Sequence, residues 1–182
     1  MLLVYHRRRS GRVCGAKDRA LVEDTGCAGK GGDEMRGYAC IGLDNPKNPI
    51  NVGSALRAAG VFGAAFVAVS GDRIPYKYHT TPTDTMKHYR HLPLIRTDNL
   101  YNIIPFDCVP VAVDLVENAR PLPAYTHPER AFYIFGGEDA TLGQRVLSWC
   151  RDVIMIPTNG CMNLAACVNV VLYDRMMKGM MQ

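Results

Sequence analysis

Ile154-Met155-Ile156-Pro157-Thr158-Asn159-Gly160-Cys161-Met162-Asn163-Leu164 runs from a β-branched strand through Pro and Gly into a tight turn, then into a segment of helical spacing. Pro cannot extend a β ladder, and Gly lets a main chain come close to a ligand, so such a turn offers backbone N–H and C=O groups to a flat, hydrogen-bonding molecule. From Asn163 to Met177 the apolar residues Leu164, Cys167, Val168, Val171 and Leu172 share one helical face. A strand, a ligand-presenting turn and a helix are the parts of an α/β fold.

Working outward, short apolar runs predict further strands over Tyr38–Leu43, Ala65–Ser70, Val109–Leu115, Ala131–Phe135 and Val153–Pro157. They are apolar at successive positions rather than alternating, which suits a parallel sheet buried on both faces. Asn51 is a candidate cap for a helix carrying Val52, Leu56, Ala59 and Gly63 at helical spacing. Gln144–Cys150 is another predicted helix, and Thr83–Arg90 a weaker one.

The bulk properties bound the class. The chain has 182 residues, enough for one domain with a real core, and its 48% hydrophobic and 21% charged content is that of a globular protein. No apolar run approaches the roughly 18 residues that a membrane span requires, and Arg7-Arg8-Arg9 follows the opening Met1–Tyr5 where a secretion signal would place its apolar stretch. The expected location is the cytoplasm, with no membrane partner. Seven scattered cysteines without a C-x-x-C pair argue against a disulfide framework or a zinc site. His79, His88 and His91 make no metal set, and no metal is expected.

Residues 1–37 hold eight basic and five acidic residues, which is three of the chain's four net positive charges, together with five glycines between Gly26 and Gly37. They read as an extension without packed structure of its own, with residues 38–182 as the folded domain. An RNA-binding arm is the functional alternative for this tail.

Two more segments complete a set with the first: Asn45-Pro46-Lys47-Asn48-Pro49-Ile50-Asn51-Val52-Gly53-Ser54-Ala55-Leu56-Arg57 and Phe132-Tyr133-Ile134-Phe135-Gly136-Gly137-Glu138-Asp139-Ala140-Thr141-Leu142-Gly143. In order and spacing the three resemble the signature motifs of the SpoU/TrmH branch of the SPOUT methyltransferases, over about Tyr38 to Lys178. The resemblance implies a SPOUT-type α/β fold with a C-terminal trefoil knot, although chains normally avoid knots. It implies S-adenosylmethionine as cofactor, RNA as partner, transfer of methyl to a ribose 2′-hydroxyl, and a homodimer.

Residue by residue, the resemblance implies that Asn51, Arg57, Glu138 and Asn163 serve the chemistry. Arg57 is nearest to it; a guanidinium stays protonated, so its role is to orient and to stabilise developing negative charge. Val113, Gly136, Ile156, Cys161, Met162 and Leu164 are implied to hold the cofactor, with Ile156 and Leu164 on either face of the adenine. Gly137 stands where relatives often carry Asn, Pro or Ser, and Cys161 where Ser is usual. The Cys-Met-Asn-Leu run and the single compact domain are similar to small members acting on tRNA, which favours tRNA over ribosomal RNA. Two other readings stay open: a catalytically idle RNA-binding relative, and a nucleotide-binding α/β protein of different chemistry.

Overall fold

The structure is a computed structural model and describes residues 37–75, 83 and 87–181. The tail up to residue 36 and most of the helix predicted over 83–90 therefore lie outside the described residues; of the latter, His88–Arg90 forms a short 3₁₀ turn.

Seven strands form one sheet: β1 (Tyr38–Leu43), β2 (Val67–Ser70), β3 (Leu94–Thr97), β4 (Val109–Val113), β5 (Arg120–Pro121), β6 (Arg130–Phe135) and β7 (Asp152–Met155). Their order is β3-β2-β1-β6-β4-β7-β5 and every pairing is parallel. The helices are α1 (Pro49–Val61), α2 (Gln144–Leu147) and α3 (Leu164–Met180).

Successive strand residues point to opposite faces, so each strand feeds two cores. Ile41, Leu43, Tyr133 and Phe135 face α1 and α3, packing against Val52, Leu56, Val168 and Val171. Cys40, Phe132 and Ile134 face the other way, against Leu100, Leu142 and Val146. Gly42 leaves room on that second face for Phe132, whose ring lies 2.9 Å from where a Cβ would stand. Burial on both faces is why these strands read as continuous apolar runs.

Several boundaries differ from the sequence expectation. The strands end at Val113 and Met155 rather than at Leu115 and Pro157, the second begins at Val67, and α2 is a single turn ending at Leu147. α3 extends to Met180. The cap of α1 is Asn48, not Asn51: its side chain accepts from Ile50 N at 2.9 Å, and Pro49 follows as first helical residue. Proline fits that position because its missing N–H would be unpaired there in any case. β3 and β5 went unread because both are short edge strands, one only half-buried and the other ending in proline.

Register positions the site. Leu43 pairs with Phe135, Phe135 with Val113, and Val113 with Ile154, so four adjacent strands end level with one another. Asp44 N to Phe135 O (2.8 Å) and Asp114 N to Ile154 O (2.9 Å) carry the ladder one step further. The three motifs begin at or just past these ends and emerge together at the carboxyl edge, where open parallel sheets present their ligand crevices. The opposite edge is tied to α3 by buried Arg175, which donates to Glu129 O (2.6 Å), Pro128 O (2.5 Å) and the Tyr133 hydroxyl (3.2 Å).

Candidate active site

A cleft of about 420 Å³ opens at that carboxyl edge. Val113, Gly136, Ile156, Cys161, Met162 and Leu164, drawn from β4, the β6–α2 loop, the β7–α3 loop and the start of α3, all line it, and so does Glu138. Its lining combines apolar side chains such as Val113, Ile156 and Leu164 with glycine main chain, which suits a flat heteroaromatic ring with polar edges. At Gly136 a Cβ would stand 3.2 Å from Ala140 O and 3.3 Å from Leu142 N, so any larger side chain there meets a closely folded loop.

Beside the cleft, and meeting it at Glu138, a continuous hydrogen-bond chain runs through all three motifs; Asn51 and Asn163 do not themselves line the cleft. Asn163 caps α3, its Oδ1 accepting from Ala165 N (2.9 Å) and Ala166 N (3.3 Å). Its Nδ2 donates to Asn51 Oδ1 at 3.0 Å, and Asn51 Nδ2 donates to Glu138 Oε1 at 2.6 Å. Glu138 then accepts from the backbone N–H groups of Lys47 (2.7 Å) and Asn48 (3.2 Å) at the entrance to α1. Buried Asn51, in the first turn of α1, is the middle link. Partial burial pushes the Glu138 carboxyl up, but the donors from Asn51 and the backbone outweigh it and leave the group below its ordinary value. Glu138 is thus held as an acceptor.

The β6–α2 loop is fastened at three further points, two of which the sequence reading did not single out. Arg73, just after β2, grips Asp139 through both guanidinium nitrogens at 2.8 and 2.7 Å. That pairing holds the Asp139 carboxyl down to about 2. Asp114, just after β4, accepts from Leu142 N at 2.6 Å. Gly137 packs on the β1–α1 loop so closely that a Cβ would be 2.8 Å from Asn45 O, which accounts for glycine there. A carboxylate directly after an apolar strand was a signal for Asp114; the Arg73–Asp139 partnership spans 66 positions and left none.

The β7–α3 loop is far less fastened. Thr158 Oγ1 donates to Gly160 O at 2.7 Å, Gly160 has nothing within 4 Å of a Cβ position, and Cys161 is exposed. Burial pushes the thiol of Cys167, on the cleft wall, up.

Arg57 stands apart. It lies on α1, is exposed, makes no hydrogen bond or ion pair among the described residues, and does not line the cleft. Among the described residues no group of three or more His, Cys, Asp or Glu is placed to hold a metal, and no helix is long and apolar enough to cross a membrane.

Together these features define an α/β protein with a small-molecule cleft at the carboxyl edge of a parallel sheet, closed by the loop leading into a C-terminal helix. Residues 38–173 match the SpoU rRNA Methylase family, and the chain belongs to it. It is 28% identical over 138 residues to an uncharacterized tRNA/rRNA methyltransferase of Archaeoglobus fulgidus, covering 72% of this chain and 61% of that one. The fold matches the SpoU methyltransferase AviRb from Streptomyces viridochromogenes in complex with the cofactor AdoMet (TM-score 0.70, 19% identity, 79% of this chain and 58% of AviRb). It also matches a structure solved for the 2-OH methylation of C/U34 on tRNA (TM-score 0.66, 21% identity, 78% of this chain and 91% of that one). The chain spans about three-fifths of the length of the curated relative.

Proposed function

We propose that this protein transfers a methyl group from S-adenosylmethionine to a ribose 2′-hydroxyl of RNA, with tRNA as substrate. The observation that carries the reading is the convergence of the three motifs: six residues line one cleft, and Glu138, Asn51 and Asn163 are joined in one hydrogen-bond chain at its side. Family membership and a fold shared with an AdoMet-bound methyltransferase support the cofactor. The 91% coverage of the structure concerned with tRNA 2-OH methylation favours tRNA.

When bound, S-adenosylmethionine supplies the methyl group and a sulfonium leaving group. Ile156 and Leu164 clasp the adenine, and the tight turn at Gly136 brings backbone to the ligand. Glu138 and Asn51, already fixed by their partners, present a rigid polar wall that orients the attacking ribose, so little reorganisation remains for the reaction step. Arg57 stabilises the alkoxide as it forms, the proton leaving to phosphate or water.

The site is shared between two copies of the chain. Ile50, Arg57 and Val61 are seven and four residues apart, which places them along one stripe of α1, and all three are exposed. On α3, which packs against α1, exposed Tyr173, Met177 and Met180 are four and three residues apart and so share one face as well. Two apolar stripes on packed helices, one of them carrying an arginine without a partner among the described residues, suit a covered face better than a wetted one. In the resulting homodimer, Arg57 of one copy reaches the cleft of the other. The C-terminal segment threads as a trefoil knot; β7 held between β4 and β5, with α3 returning onto α1, supports that path.

The test is transfer of tritiated methyl from S-adenosylmethionine to unfractionated tRNA, followed by nucleoside mass spectrometry. A 2′-O-methylnucleoside is expected; label on a base, or none on RNA, overturns the reading.

A further inference from the structure

A second cavity, of about 240 Å³, opens at the same sheet edge on the other side of the β6–α2 loop. Asp44 and Asn45 after β1, Arg73 after β2 and Gly137 after β6 form its walls, and Arg145 of α2 closes it. Gly137, Ala140 and Thr141 belong to both spaces, so a single loop separates this cavity from the cleft. It also lies where the chain order reverses: β1 leads outward to β2 and β3, while β6 leads the other way, to β7. Such a switch point is where open parallel sheets bind ligands.

Its charges pair off, Arg73 with Asp139 and Arg145 with Asp44, but the two pairs differ in the donor capacity they leave. Two guanidinium groups and one carboxylate line it, and the carboxylate is already engaged, since Ser70 Oγ donates to Asp44 Oδ1 at 2.6 Å. Arg73 is fixed in place by Asp139. Arg145 is different: its Nη2 is 3.7 Å from Asp44 Oδ1, beyond hydrogen-bond reach, and its side chain is 68% exposed. Its guanidinium makes no hydrogen bond among the described residues. The volume is below the range of about 300–1,000 Å³ usual for whole small-molecule ligands, and suits a single group.

We propose that this cavity is a subsite for a phosphate of the RNA strand next to the nucleotide being modified, with Arg145 donating to the phosphate oxygens. A guanidinium fork whose N–H donors are unused, facing a cavity of single-group size one loop away from the cleft, suits phosphodiester oxygens. The inference rests on the RNA methyltransferase reading above.

The experiment measures binding of unfractionated tRNA to the full chain across a potassium chloride series, for wild type, Arg145→Ala and Arg145→Lys, with S-adenosylmethionine affinity measured on the same samples. Arg145→Ala is expected to weaken tRNA binding about three- to tenfold and to flatten the salt slope by roughly 0.7–0.9, the value of one phosphate contact. Arg145→Lys should recover most of both, and cofactor affinity should not change. Millimolar inorganic phosphate should compete with tRNA on wild type more strongly than on Arg145→Ala. Unchanged tRNA affinity and slope in Arg145→Ala overturns the subsite, and if phosphate still binds in an Arg145-dependent way, the cavity belongs to a free anion instead. If wild type methylates ribosomal RNA rather than tRNA, the same series on that RNA decides. A wild type that binds S-adenosylmethionine and methylates no RNA refutes the parent reading; one that methylates RNA with an indifferent Arg145→Ala refutes the subsite alone.

Discussion

Asn51 and Arg57 lie on the same helix six residues apart, and the structure treats them oppositely. Asn51 is buried and bonded at both ends, to Asn163 and to Glu138. Arg57 is exposed and bonded to nothing among the described residues. Helix geometry accounts for the split: six residues advance the chain by about 9 Å and turn it to a face roughly 120° away. The two residues of one motif therefore point to different surroundings: Asn51 inward to Glu138 and Asn163, Arg57 outward. Asn51 belongs to a wall that folding completes; Arg57 belongs to a surface that folding leaves open. That difference is what the proposed shared site rests on: one residue is fixed by its own chain, and the other is left open to a second copy.

The largest effect expected is on the closed half. Gly136→Trp puts a large side chain into a closely folded loop that lines the cleft, and calorimetry should find S-adenosylmethionine binding abolished. Unchanged affinity would remove the cleft from the account. On the open half, Arg57→Ala should leave cofactor affinity intact and slow methyl transfer by about 100-fold or more, as for loss of a charge that stabilises the transition state. Near-normal turnover would leave Arg57 a surface charge.

Smaller effects concern the wall itself. Asn51→Ala strips a partner from both Asn163 and Glu138 and should cost about 1–3 kcal/mol of folding stability, read from urea unfolding, whereas Arg57→Ala should cost almost none. Equal costs would erase the contrast between the two residues. The smallest effect is a pH dependence. The Glu138 carboxyl is held below its ordinary value of 4.5 in the folded chain, so its contribution is present above pH 4.5 and is lost as pH falls through the lower folded value. Glu138→Gln should therefore be less stable than wild type at neutral pH, with the gap closing below about pH 4.5. A gap independent of pH would show that the carboxylate charge is not what the donors hold.

Much of this arrangement was legible in the chain itself. The apolar runs announced strands buried on both faces, and the glycine and proline turns at their ends marked the ligand edge. Residues quoted from two motifs, and Val113 well apart from them, meet in one cleft because adjacent strands end in register, while the first motif joins at its side through the Asn51–Glu138 hydrogen bond. What escaped was either short or long-range. Asn48 and Asn51 both precede the apolar period, and only the fit of Pro49 at the first helical position selects Asn48 as the cap. β3 and β5 lack the length that makes a strand visible. The clamp between Arg73 and Asp139 depends on which loops the register brings side by side, and no local pattern encodes it.

The central claim, that each working site joins the cleft of one chain to Arg57 of another, meets its most direct test in a mixture. Gly136→Trp chains keep Arg57 and lack a cleft; Arg57→Ala chains keep the cleft and lack the arginine. Refolded together and purified as tagged heterodimers, the pair should recover methyl transfer well above either parent, because one of the two shared sites is then intact. Heterodimers no more active than the parents would contradict the account and return Arg57 to its own chain or to the solvent.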